Sequence, residues 1–88
     1  MSYYVKCKTT DGHDLWVVQI ENHIALHKDI NEATVYMGDE KLVFKNVELL
    51  TEGLKPYADV LKLRLPFMAV NAERMTGIWP KALQGLVS

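Results

Sequence analysis

Tyr3-Tyr4-Val5-Lys6-Cys7-Lys8, Thr9-Thr10-Asp11-Gly12-His13-Asp14 and Leu15-Trp16-Val17-Val18-Gln19-Ile20 form the stretch that decides the fold. Two runs of alternating character flank an Asp-Gly pair, the composition of a tight β-hairpin turn. Centring a two-residue loop on Asp11-Gly12 pairs Lys8 with Leu15, Cys7 with Trp16, Lys6 with Val17, Val5 with Val18, Tyr4 with Gln19 and Tyr3 with Ile20. That register gathers Tyr3, Val5 and Cys7 opposite Ile20, Val18 and Trp16 on one apolar side.

Working outward, Ile24-Ala25-Leu26-His27 reads as a short third strand with Ile24 and Leu26 inward, and Asp29-Ile30-Asn31-Glu32 as a turn. Ala33 to Met37 is a second short β segment, with Ala33, Val35 and Met37 on one face. Gly38-Asp39 opens a helix running to about Glu52, with Asp39 as its cap and Val43, Val47 and Leu50, beside Phe44, along its apolar stripe. Gly53 supplies a residue able to take positive φ and end it. Burying the stripe on the hairpin is worth about 1.5–3 kcal/mol per large side chain.

Beyond Lys55-Pro56, residues 57–66 fit either a helical face or a strand, and the alternation of Val60 to Leu65 favours a late edge strand, with Pro66 at its end or on the edge. Asn71 then caps a short helix over Ala72 to Gly77, and Pro80 opens a last one. Together Met75, Ile78, Trp79, Ala82, Leu83 and Leu86 make a kinked amphipathic tail. The expected architecture is a single α+β domain over residues 1–88: an antiparallel hairpin extended by one or two short strands, packed on a central helix, with the late strand and short C-terminal helices.

The chain has 88 residues, 49% hydrophobic and 24% charged, with a formal net charge of -1. That is enough for one modest core, and the balance points to neither a strongly basic nucleic-acid binder nor an acidic mimic. The lone Cys7 forms no intrachain disulfide. Met1 to Lys6 lacks the apolar run of a signal peptide and no stretch reaches membrane-span length, so the expected setting is cytoplasmic, with no membrane partner. Low net charge and the apolar C-terminal third are compatible with a homodimer.

No constellation assembles a catalytic site, a cofactor site or a metal site. His23 and His27, with Asp29 nearby, lie about 13 Å apart if the segment is extended, too far to share an ion. Cys7 belongs to a buried face rather than beside a base. The carboxylates suit turns, caps and surfaces, and Gly38-Asp39-Glu40-Lys41 lacks phosphate-loop spacing.

Two binding readings follow. The first is a small non-catalytic protein that acts on a protein partner as regulator, inhibitor or assembly factor, with Phe67 and Trp79 as anchors and Met75 as an adaptable neighbour. A phage or mobile-element origin fits such a chain, although no residue carries it. The alternative is a single-stranded nucleic-acid module whose sheet face presents Tyr4, Lys6, Lys8, Lys62 and Arg64.

Overall fold

The computed structural model describes residues 1–86. Strands β1 (Ser2–Thr9), β2 (Asp14–Ile20), β3 (His23–His27), β4 (Tyr36–Met37), β5 (Leu63–Asn71) and β6 (Gly77–Ile78) form one antiparallel sheet. Its order is β3-β2-β1-β5-β6, with β4 on β1. Helix α1 (Glu40–Leu54) passes through a 3-10 turn at Lys55–Tyr57 into the single turn of α2 (Ala58–Leu61), and a 3-10 turn at Lys81–Leu86 follows β6. The expected α+β class, central helix and hairpin are all present.

The hairpin register differs from the expected one by a single residue. Lys6 pairs with Trp16, Cys7 with Leu15 and Lys8 with Asp14. The loop holds three residues: Thr9 N donates to His13 O at 2.7 Å, Gly12 N donates to Thr9 O at 3.0 Å, and Gly12 takes φ 90°. Asp-Gly therefore closes a turn followed by a left-handed glycine bulge instead of a two-residue turn. Because side chains alternate, that one residue turns β2 over. Leu15 and Val17 join Tyr3, Val5 and Cys7 under the helix, while Trp16 and Val18 point to the other side.

The ladder is also shorter than expected. After Trp16 the two strands part, and Tyr3 and Ser2 pair with Tyr36 and Met37 of β4 rather than with Ile20. Thr34 fills the gap: its N–H donates to Val17 O at 3.0 Å, and its Oγ1 accepts from Gln19 N at 2.7 Å. This insertion orients β4 with Tyr36 against the core, and the face that Val35 and Met37 share is the exposed one.

Asp39 caps α1 as expected, accepting from Lys41 N at 3.0 Å. Val43 and Val47 are buried, with Phe44 and Leu50 packed partly against the core. Gly53 does not end the helix, because its φ stays negative and the chain continues helically to Leu61. The stop is Lys62 at φ 57°, whose left-handed cap lets its N–H donate to Asp59 O at 3.2 Å. Val60 and Leu61 are thus helical, and the alternating run begins as a strand only at Leu63.

β5 lies between β1 and β6, but β6 pairs only with Ala69 and Val70, so the Leu63–Met68 part of β5 is an edge as expected and only its end is covered. Pro66 is tolerated there because the β1–β5 register shifts between Lys6–Met68 and Lys8–Arg64, an interruption that spares it a ladder donation. At this bulge Phe67 N donates to the Oγ1 of buried Thr51 at 3.1 Å, tying helix to sheet. Asn71 does cap, with its Oδ1 accepting from Glu73 N and Arg74 N, but it caps the β5–β6 turn and no helix forms over 72–77. Gly77–Ile78 pairs with β5, so a strand replaces the first half of the kinked amphipathic tail, while Pro80 leads as expected into a last short helix, of 3-10 form, over Lys81–Leu86.

Candidate functional site

The residues nominated for binding fall into three environments. Phe67 is 0% exposed and sits in the core with Val5, Val47 and Ala69, so it is a packing residue and no anchor. Met75 is exposed in the β5–β6 turn, at φ 56°. Trp79 is half-buried and lines a groove on the sheet face opposite α1.

That groove encloses about 290 Å³ between Lys6, Lys8, Arg64, Leu65, Met68 and Trp79. Its making is legible in the register. Lys6 stands opposite Met68 and Lys8 opposite Arg64 across β1–β5, while Lys6 and Lys8 stand opposite Trp16 and Asp14 across β1–β2. Alternation therefore puts the basic residues of β1 and β5 on the outer face together, beside Trp16 and Asp14 of β2. Trp79 follows β6 directly and is held by the turn beyond it, where Leu83 N donates to the carbonyl of buried Pro80 at 2.9 Å and Gln84 Nε2 donates to Trp79 O at 3.3 Å.

The groove floor depends on a glycine. A Cβ at Gly77 would lie 2.7 Å from Met68 Sδ and 3.0 Å from its Cε, so the thioether occupies the space that any side chain at position 77 would take. Met68 presents a polarizable apolar floor beside the Trp79 ring.

Electrostatically the surface is basic but internally engaged. Asp14 Oδ1 accepts from Lys6 Nζ at 3.2 Å and Lys8 Nζ at 3.1 Å. Partial burial raises the Asp14 carboxyl pKa, but the hydrogen bonds from Lys8 and Lys6 outweigh this and leave it below the ordinary carboxylate value. Lys6 Nζ also lies 5.4 Å from the centroid of the Trp16 ring, a cation–π contact, and Tyr4 packs edge-on to Trp16 at 5.7 Å and 77°. Arg64 Nη2 donates to Thr10 O at 3.3 Å.

Four of the five residues nominated for nucleic acid, Tyr4, Lys6, Lys8 and Arg64, share this outer face. Lys62 does not join the groove; it is the helix cap, and its carbonyl accepts from Thr10 N at 2.9 Å. The residues missed from sequence are Trp16 and Met68. The two-residue reading of the turn hides the first, and the short β5–β6 pairing that shapes the groove around the second carries no signal in the sequence.

Cys7 is buried, and its thiol is pushed up to about 12, by burial first and then by the Asp14 charge. A thiol so protonated is no nucleophile at neutral pH. Among the described residues, no three His, Cys, Asp or Glu side chains gather as a metal-binding group. Also among them, no helix is long and apolar enough to cross a membrane. No family, curated protein or solved structure matches the chain.

Proposed function

We propose that this chain is a non-catalytic binding domain whose outer groove takes an extended segment of a partner protein, one carrying both acidic and apolar side chains. The observation that carries this reading is the juxtaposition of Trp79 and Met68 with Lys6, Lys8 and Arg64 around one groove. A tryptophan beside a methionine provides an anchor and an adaptable wall, and the basic rim selects the sign of the incoming segment. Such a domain acts by occupying its partner's segment, as a regulator, inhibitor or assembly factor does.

Single-stranded nucleic acid is the second reading, favoured by Tyr4, Lys6, Lys8 and Arg64 on one face. The first is better supported. The Tyr4 ring is engaged with Trp16, which takes its edge from base stacking, and the net charge of -1 gives little long-range attraction for a polyphosphate backbone.

Affinity capture from a lysate of the native host tests both, using the unaltered chain, Trp79→Ala and Arg64→Glu as baits, with mass spectrometry and nucleic-acid quantification. A protein retained by the first bait and lost from both variants is the expected result. Recovery of nucleic acid that falls steeply with salt transfers the surface to the second reading. A bait that recovers neither removes both.

A further inference from the structure

The outermost strand at one end of the sheet, β3, reads the same in either direction by residue type: His23-Ile24-Ala25-Leu26-His27. Natural edge strands are normally blunted by lysine, proline or a bulge, and this segment carries none of these. Its free side can be identified. Val17 and Gln19 direct their main-chain groups to Thr34, away from β3. In an antiparallel ladder it is therefore Trp16, Val18 and Ile20 that exchange hydrogen bonds with His27, Ala25 and His23. The N–H and C=O groups of Ile24 and Leu26 consequently point outward along the edge.

We propose that two copies of this chain associate through antiparallel pairing of their β3 edges about a two-fold axis at Ala25. In that register Ile24 of one copy meets Leu26 of the other, and Leu26 meets Ile24. These are the residues whose main-chain donors and acceptors are outward, so each pair exchanges both hydrogen bonds. Ala25 meets its own counterpart in the intervening position, where the side chains come closest and a small residue fits. A two-fold interface requires one patch to be complementary to itself, and an apolar palindrome centred on alanine satisfies that requirement residue by residue.

The helix side supplies the packing. Ile24 and Leu26 border a second groove, apolar, with Leu49, Leu50, Leu54 and Leu61. Ile24 is 41% exposed, Leu49 62% and Leu61 48%. Pairing the edges brings the Ile24–Leu26 rows of both copies beneath these leucines, so the same event that completes the ladder covers the apolar strip. This surface is separate from the outer groove, and its test does not depend on what that groove binds.

Sedimentation velocity over a concentration series reads the result. The unaltered chain is expected to reach twice the monomer mass. Ala25→Lys and Ala25→Glu each set like charges opposite one another at the axis and are expected to sediment as monomers, and an equimolar mixture of the two is expected to regain the dimer mass. Ile24→Pro removes an outward N–H while leaving the ladder to β2 intact, and is expected to be monomeric with an unchanged far-ultraviolet circular dichroism spectrum. A monomer at every concentration of the unaltered chain overturns the proposal, as does a dimer that Ala25→Lys leaves undiminished.

Discussion

The two faces of β1 carry alternate residues of one strand, yet they do different things. Tyr3, Val5 and Cys7 lie dry against α1, each at most 2% exposed, while Tyr4, Lys6 and Lys8 form a layer of ring contacts, shared ion pairs and a groove. The inner face is fixed by exclusion of water, and the outer face by directional polar contacts laid over an aromatic floor. Damage to the first should therefore be read in stability and damage to the second in binding.

The largest expected effect tests the inner face. Val47→Asp places a carboxylate with no partner in the core and should abolish cooperative unfolding, as followed by circular dichroism, a loss beyond about 4 kcal/mol. Phe67→Ala should cost about 3–5 kcal/mol by urea denaturation. Trp79→Ala should leave the urea midpoint nearly in place while weakening partner capture, and a reversal of these two outcomes would collapse the distinction between the faces.

Cys7 gives a subtler probe of the same boundary. Its thiol should react with an aromatic disulfide reagent at pH 8 no faster than the chain opens, and urea near the unfolding midpoint should accelerate labelling sharply. Rapid labelling in the folded state would place Cys7 on the wetter side.

The smallest effect belongs to Asp14. Its folded-state pKa is depressed, so its contribution is present above the ordinary carboxylate value of about 4 and is lost as pH falls through the lower, folded-state pKa. Asp14→Asn should flatten the acid limb of stability, by no more than about 1 kcal/mol given the solvent screening of Lys8. A thermal-melt series from pH 6 to about pH 2 checks this.

Much of the architecture was readable in sequence because it rests on local chemistry: Asp39 as a cap, Val43 and Val47 on one helix face, and a third strand with Leu26 inward, although Ile24, expected inward beside it, stays exposed at the rim. What escaped was decided by tertiary partners. Nothing near Gly53 announces that the helix will run on to Lys62, and nothing in Leu63 to Asn71 shows that β6 will pair with Ala69 and Val70 at its end. The candidate site suffered most, since the outer face was named for Tyr4, Lys6, Lys8 and Arg64 while Trp16 was assigned beneath the helix. The join of Trp79 to that face needed the β5–β6 pairing, which two residues of sequence do not signal.

The three-residue loop at Thr10-Asp11-Gly12 works as a parity device. In the unaltered chain a two-residue Asp-Gly turn would set Thr10 opposite His13 and put the indole of Trp16 beneath the helix, so local preference and global packing stand opposed in one small ribbon. Removing Thr10 would reconcile them: Asp-Gly could then close the shorter turn between Thr9 and His13, which are already paired, with Trp16 kept on the outer face.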